Sequence, residues 1–172
     1  LDNNERELSS NDIVIANKKE AIGLAGVMGG LSTEVEDNTK DIIIESAIFD
    51  SIRVRKTSKE ILRSEASNRF EKGLDPNRTY MAIDRACNML EKYASGSVMD
   101  GMLEYNTQSR DEKVIKISLD KINSVLGFNL TVDDVKEVFK KLNFEIKSRG
   151  NEFTVSVPTR RIDISIKEDL IE

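Results

Sequence analysis

A glycine-rich segment, Gly26-Val-Met-Gly29-Gly30, is the first feature of this sequence that could do chemistry. It follows an apolar run that begins at Ala21, and it lacks both the GKS or GKT ending of a phosphate-binding loop and the G-x-G-x-x-G spacing of dinucleotide sites. The segment is therefore either a tight turn or a turn whose bare backbone N–H groups are held open toward a ligand.

Glu45 is an acidic residue inside an isoleucine-rich segment, residues 41–49, which is apolar on both faces. That pattern predicts an internal strand, in which an ionised carboxylate needs a partner. Glu45 could lie at a sheet edge or pair with an arginine. Alternatively, it could be a recognition carboxylate in a pocket, where it would accept a hydrogen bond from a substrate hydroxyl.

Six positive side chains lie within residues 53–69 of a chain whose net charge is −5. A helix predicted to begin near Asp50 places Arg55, Lys59 and Arg63 on one face. Such a row is either a solvated surface or a contact for a phosphate-bearing ligand. Because no part of the chain is strongly basic, the whole chain does not resemble a nucleic-acid clamp.

The acidic C-terminal residues Asp163, Asp169 and Glu172 are the fourth candidate group. Asp169 and Glu172 share a face if this end is helical. Carboxylate oxygens are hard ligands that suit Mg²⁺, which takes one or two carboxylates and several waters. A charged C-terminal turn without a metal is the other interpretation.

The composition excludes several classes of chemistry within these residues. The chain has no His, which excludes a Ser-His-Asp or Cys-His catalytic unit and an imidazole metal site. The single Cys87 excludes an internal disulfide and a cysteine-based zinc site, and its apolar neighbours indicate a core residue. No apolar run approaches the ~20 residues of a membrane span, and the first residues do not resemble a signal peptide.

These candidates must be positioned by two α+β domains, predicted over residues 1–108 and 109–172. The polar segment 106–112 separates them as a linker. In the first domain we predict strands at 13–15 and from residue 21, an internal strand at 41–49, and helices that begin near Asp50 and at Asp75-Pro76.

The second domain has clearer local signals. A strand is predicted at 114–117, followed by a helix capped by Ser118 and ended by Gly127. Thr131 and Asp134 predict the start of the next helix, whose apolar stripe is Val135, Val138, Phe139 and Leu142. A hairpin with its turn at Gly150-Asn151 and a short C-terminal helix complete the prediction.

Three motifs occur in order in the first domain: Ala25-Gly-Val-Met-Gly-Gly30, Ile43-Ile-Glu-Ser-Ala-Ile-Phe49 and Ser64-Glu-Ala-Ser-Asn-Arg-Phe-Glu-Lys-Gly-Leu-Asp-Pro76. Together they resemble the editing domain of the bacterial phenylalanyl-tRNA synthetase β-subunit family. The second domain, with Val155-Ser-Val-Pro-Thr-Arg-Arg-Ile-Asp163 and Glu168-Asp-Leu-Ile-Glu172, is similar to the small domain that follows it in the same family.

The resemblance implies a subunit of a ligase that attaches phenylalanine to tRNA-Phe using ATP. It implies an α subunit as partner, a cytoplasmic α2β2 heterotetramer and no membrane. It also implies an editing pocket that hydrolyses mischarged Tyr-tRNA, in which Glu45 reads the tyrosine hydroxyl. The implied pocket residues are Gly26, Gly29, Glu45, Ser64 and Ala66, and Arg55, Lys59 and Arg63 would contact the tRNA end.

Further implications concern the metal and the extent of the chain. The family binds Mg²⁺ at the positions of Asp163, Asp169 and Glu172, in a site shared with the α subunit. The resemblance assigns no catalytic residue here, and it places the N-terminal half of the editing domain and the synthetic active site outside these residues. We therefore expect this fragment alone neither to charge tRNA nor to edit efficiently. A non-catalytic protein- or RNA-binding module is the alternative.

Overall fold

A computed structural model describes residues 1–172 and divides into two compact units. Unit 1 comprises residues 1–74 and 78–104, and unit 2 comprises residues 75–77 and 105–172. Each unit holds a three-stranded antiparallel sheet and helices, which confirms the α+β prediction. The main division lies at 104/105, close to the 108/109 boundary expected from the linker. None of the helices combines the length and the apolar character needed to cross a membrane.

The sheet of unit 1 is built from β1 (Val14–Ala16), β2 (Ala21–Leu24) and β3 (Met28–Gly29), in that spatial order. Both pairings are antiparallel, and the register of β1 against β2 shifts after Ile15. The glycine-rich segment therefore forms the turn between β2 and β3. A single 3-10 turn, Leu31–Thr33, follows the sheet.

Unit 1 has three helices: α1 (Ser51–Glu60), α2 (Glu65–Phe70) and α3 (Arg78–Ala94). The predicted start of α1 is confirmed, because the Asp50 carboxylate accepts a hydrogen bond from the Arg53 N–H at 2.8 Å. The helix predicted to begin at Asp75-Pro76 begins only at Arg78. The Asp75 carboxylate instead accepts from the Asn77 N–H at 3.0 Å, which closes a turn before the helix.

The predicted internal strand at residues 41–49 is wrong. These residues form no strand, and Ile43 is 100% exposed. The sheet of unit 1 ends at β1 and β3, so residues 41–49 have no ladder partner. Isoleucine-rich sequence favours extended backbone, but a strand requires a hydrogen-bonded neighbour.

The buried core of unit 1 is small. Its fully buried hydrophobic side chains are Ala25, Val27 and Val54. The long helix α3 buries no residue completely, so Cys87, predicted to be a core residue, is only half-buried.

Unit 2 contains three strands and three helices with the order β4, α4, α5, β5, β6, α6 along the chain. The strands pair antiparallel in the spatial order β4-β6-β5. Their bounds, and those of the helices, are β4 Lys113–Ser118, α4 Leu119–Leu126, α5 Val132–Lys141, β5 Glu145–Arg149, β6 Glu152–Val157 and α6 Lys167–Ile171.

One hydrophobic cluster holds unit 2 together. The inner face of β6 supplies Phe153, Val155 and Val157, all at most 2% exposed. Phe139 of α5 packs against Phe153 with its ring centroid 6.3 Å away. The predicted α5 stripe is confirmed at Val135 and Phe139, which are buried, and wrong at Val138 and Leu142, which are 53% and 44% exposed. Leu142 lies just beyond the end of α5.

Candidate functional site

The turn at Gly26 requires glycine for two separate reasons. Its φ is +69°, a left-handed conformation that side-chain-bearing residues rarely adopt. A methyl group at this position would also lie 3.1–3.3 Å from side-chain atoms of Phe70, Val54 and Phe49. The turn is therefore packed tightly against α1, α2 and Phe49, which precedes the Asp50 cap of α1.

Gly29 and Gly30 differ from Gly26 in what surrounds them. Gly30 donates its N–H to the Ile22 carbonyl at 2.9 Å, and a Cβ there would lie 2.6 Å from that oxygen. Gly30 is thus needed for close backbone approach across the sheet. Gly29 lines a cavity of about 480 Å³ that extends between the β2–β3 strands and residues 1–8.

Ser64 connects helix α2 to the glycine turn. Its hydroxyl donates to the Val27 carbonyl at 2.6 Å and accepts from the Ser67 N–H at 3.1 Å. The Ser67 hydroxyl accepts in return from the Ser64 N–H at 2.9 Å, which completes a capping box. Ala66 lies half-buried in the first turn of the same helix.

Glu45 is exposed, and its carboxylate makes no hydrogen bond or ion pair. Surrounding protein atoms nevertheless raise the pKa of this carboxyl by partial desolvation. Because the side chain stays exposed, water screens much of this effect. The neighbouring Ser46 hydroxyl anchors the segment by donating to the Thr79 carbonyl at 2.7 Å.

The structure brings together only part of the predicted pocket. The Ser64 hydroxyl donates to the carbonyl of Val27, which adjoins Gly26, and Ala66 lies in helix α2, which Ser64 caps. Gly29 faces the cavity, which none of the other four predicted residues lines. No hydrogen bond links Glu45 to any of them.

The predicted basic row is not a single helix face. Arg55 and Lys59 lie exposed on α1, but the helix ends at Glu60, so Arg63 falls beyond it. Arg63 instead pairs with Glu71 at 3.7 Å. The i, i+4, i+8 prediction is therefore wrong for Arg63, because the chain leaves the helix before reaching it.

The acidic end uses its carboxylates within unit 2. Asp163 accepts from the Arg161 Nε and Nη2 atoms at 2.9 and 2.6 Å, and this pairing lowers the Asp163 pKa. Asp169 accepts from the backbone N–H groups of Ser165 and Ile166 at 2.7 and 3.0 Å, which lowers its pKa. Both groups therefore favour the ionised form.

These residues suit Mg²⁺ by ligand type but not by arrangement. Three carboxylates are the hard donors that the ion takes. However, no group of three acidic side chains in the structure is close enough to hold a metal. Asp163 already has Arg161 as its counter-charge, and Asp169 caps helix α6. The metal assignment to Asp163, Asp169 and Glu172 stays a prediction.

Three residues of interest were absent from the predicted set: Gly30, Arg53 and Lys56. The Gly29-Gly30 pair was the available signal for Gly30, since adjacent glycines often mark close backbone approach. Arg53 and Lys56 lie outside the i, i+4 row of Arg55 and Lys59, so the four-residue spacing does not predict them. Both are exposed on α1.

Comparison with known proteins gives a consistent picture of both units. Residues 1–95 match the family model of the B3/4 domain, and residues 115–172 match the tRNA synthetase B5 domain. The whole chain is similar to proteins named phenylalanine–tRNA ligase beta subunit. It is 47% identical to the one from Staphylococcus epidermidis, 48% identical to the one from Staphylococcus haemolyticus and 45% identical to the one from Oceanobacillus iheyensis. Each match covers 100% of this chain but 22% of the relative, so the chain spans about a fifth of the length of these curated relatives. The chain belongs to the B3/4 domain family, with a tRNA synthetase B5 domain following in the same chain.

Proposed function

We propose that this chain is part of the β subunit of a phenylalanine–tRNA ligase, which attaches phenylalanine to tRNA-Phe using ATP. The proposal is supported by two domain matches in sequence and by 45–49% identity over the whole chain to proteins of that name. The α subunit as partner, the tRNA substrate, the α2β2 assembly and a cytoplasmic location belong to the same proposal. These matches do not favour the alternative of a non-catalytic binding module.

Unit 1 contributes part of a pocket that hydrolyses mischarged Tyr-tRNA, using Gly26, Gly29, Glu45, Ser64 and Ala66. The observation that carries this proposal is the unpaired Glu45 carboxylate, whose pKa is raised by desolvation. Phenylalanine and tyrosine differ by one hydroxyl. A carboxylate without a protein partner gains a charge-assisted hydrogen bond from tyrosine and nothing from phenylalanine.

The hydrolysis breaks the ester bond between tyrosine and the tRNA end, with water as the attacking group. Negative charge develops on the carbonyl oxygen, and backbone N–H groups can stabilise it. The N–H groups of Ala25, Val27 and Gly30 already donate to carbonyl oxygens of Ile13, Leu24 and Ile22. We assign the stabilising role to the two pocket glycines, Gly26 and Gly29.

The metal and tRNA contacts complete the proposal. Mg²⁺ would bind Asp163, Asp169 and Glu172 in a site shared with the α subunit, since these three do not assemble into a metal-binding group by themselves. No step of the hydrolysis passes through the metal. Arg55 and Lys59 would steer the tRNA end toward the pocket.

Glu45→Ala in the full-length ligase tests the proposed function. We expect hydrolysis of Tyr-tRNA-Phe to fall roughly 10- to 100-fold in kcat/KM, the equivalent of a lost hydrogen bond to a charged group of about 1.5–3 kcal/mol. Phenylalanine charging should be unchanged. The measurement is deacylation of labelled Tyr-tRNA-Phe.

The matched control is Glu34→Ala, which removes another exposed glutamate of unit 1. It should deacylate Tyr-tRNA-Phe at the wild-type rate. Wild-type deacylation and tyrosine discrimination by Glu45→Ala would show that Glu45 does not read the hydroxyl.

A further inference from the structure

Helix α1 carries four exposed cations without a carboxylate partner, and we call them the α1 cationic face: Arg53, Arg55, Lys56 and Lys59. The other cations of residues 53–69 are ion-paired, Arg63 with Glu71 at 3.7 Å and Arg69 with Glu65 at 3.5 Å. Within residues 53–69, the cations outside α1 are therefore ion-paired, whereas the cations on α1 are not.

The four cations occupy one continuous side of the helix. Val54, Thr57 and Ser58 are at most 4% exposed and define the inner side. At 3.6 residues per turn, the cations spread over about 160° of the opposite side. Ile52 lies among them and is 66% exposed. The exposed Glu60 lies on the same side, so the outer side carries four positive charges and one negative charge around Ile52.

The inner side attaches α1 to the glycine turn. A methyl group at Gly26 would lie 3.2 Å from Val54 Cγ2, so the helix covers that turn directly. The Thr57 hydroxyl also donates to the Asp12 carboxylate, just before β1. A ligand on the outer side would lie about one helix diameter, roughly 10 Å, from the Gly26 turn.

We infer that the α1 cationic face binds the phosphates of a single RNA strand, namely the acceptor end of a tRNA whose terminus enters the pocket. This inference rests on the proposed function. A net charge of −5 offers no general attraction to RNA, so binding must come from a local positive surface. Arginine supplies a planar fork for phosphate oxygens, and Ile52 offers apolar contact for a base or ribose.

The α1 cationic face differs from the predicted set of tRNA contacts at three residues. Arg53 and Lys56 join Arg55 and Lys59. Arg63 drops out because Glu71 neutralises it.

The test compares two double variants of the 172-residue chain, each lacking two exposed arginines of unit 1. Arg53→Ala/Arg55→Ala removes half of the face, whereas Arg69→Ala/Arg85→Ala removes the same charge from α2 and α3. Binding of a fluorescein-labelled 12-nucleotide RNA ending in CCA is measured by anisotropy at several salt concentrations. Circular dichroism melting checks that both variants fold.

We expect wild-type binding to weaken with salt, and the face variant to bind at least 10-fold more weakly. Its slope of log K against log salt should be shallower by about 1.4, or about 0.7 for each lost phosphate contact. The control variant should keep the wild-type slope. Equal losses in the two variants, or no RNA binding by the wild-type chain at 50 mM salt, would overturn the inference.

Two further outcomes separate this inference from related ones. If a poly-glutamate 12-mer binds as tightly as the RNA and loses as much on mutation, the face recognises acidic peptide and the RNA assignment is wrong. In the full-length ligase, Arg53→Ala/Arg55→Ala should raise KM for Tyr-tRNA-Phe deacylation. If it does not, while Glu45→Ala still loses tyrosine discrimination, the proposed function stands and only the cationic face fails.

Discussion

Unit 2 gathers twelve buried hydrophobic residues into one cluster, whereas unit 1, the longer of the two, fully buries only Ala25, Val27 and Val54. Apolar side chains of unit 1 lie instead at its surface, with Ile43 and Leu103 fully exposed. Buried apolar area is the main favourable term in folding, at about 25 cal/mol per Å². Unit 2 therefore forms a hydrophobic core of its own, whereas unit 1 keeps apolar surface available for contacts with other groups.

The carboxylates of the two units differ at Glu45 alone, because Asp2 and Asp12 of unit 1 also accept hydrogen bonds that lower their pKa values. In unit 2, Asp134, Asp163 and Asp169 accept hydrogen bonds that lower their pKa values. In unit 1, Glu45 has no partner and desolvation raises its pKa. Unit 1 therefore stabilises itself with some of its aspartates, as unit 2 does, but it leaves Glu45 and the α1 cationic face free for ligands.

The largest expected effect comes from the core of unit 2. Phe153→Ala should lower the free energy of unfolding by about 3–5 kcal/mol, because Phe153 is fully buried and its removal leaves a cavity. The comparison variant Ile43→Ala should stay within about 0.5 kcal/mol of wild type, since Ile43 is fully exposed. Urea unfolding followed by circular dichroism measures both.

A cost above about 2 kcal/mol for Ile43→Ala would contradict the comparison. It would mean that residues 41–49 are buried in solution, as an internal strand would be.

A smaller effect is expected at the glycines with left-handed φ. Gly127→Ala at φ +71° should cost about 1–2 kcal/mol through backbone strain alone, because nothing lies within 4 Å of its Cβ position. Gly26→Ala at φ +69° should cost about 1–3 kcal/mol more, because the methyl group would press on Phe70, Val54 and Phe49. Thermal unfolding of both variants measures the difference.

Equal costs for the two glycine substitutions would show that the Gly26 turn is less tightly packed than this structure indicates. The contact of Gly26 with Phe70, Val54 and Phe49 would then not count as tight packing in unit 1.

The smallest expected effect is the opposite pH dependence of Asp169 and Glu45. The Asp169 pKa is lower when folded, so its contribution to stability is present above about pH 4 and is lost as the pH falls through the folded value. The Glu45 pKa is higher when folded, so its effect is most favourable below about pH 4 and is lost as the pH rises through the folded value.

Urea unfolding between pH 3 and 7 of Asp169→Asn and Glu45→Gln measures these effects against wild type. Asp169→Asn should reduce the loss of stability in acid, and Glu45→Gln should increase stability slightly at neutral pH. If the difference in free energy of unfolding from wild type shifted in the same direction with pH for both variants, the assigned pKa directions would be contradicted.

The elements of unit 2 were predictable because local signals bound each one. Ser118 and Gly127 delimit α4, Thr131 caps α5, and Gly150 turns the hairpin, as the structure confirms. The same reasoning failed at residues 41–49 of unit 1 and at Asp75 of unit 2, where the outcome depends on partners distant in sequence. Residues 41–49 have no neighbouring strand with which to pair. The Asp75 carboxylate closes a turn and accepts a hydrogen bond from the Thr159 hydroxyl at 2.7 Å.

Local sequence patterns were sufficient to predict the α+β class, the capped helices, the glycine turn and the residue types of every candidate group. Those features depend on neighbours within a few positions, where backbone preference and side-chain spacing act directly. The folded chain was needed to show that Gly26 packs against three hydrophobic side chains, that Glu71 pairs with Arg63, and that Arg161 pairs with Asp163. Whether a charge is free or paired depends on which groups the fold brings within a few ångströms, and that property sets what each unit can bind.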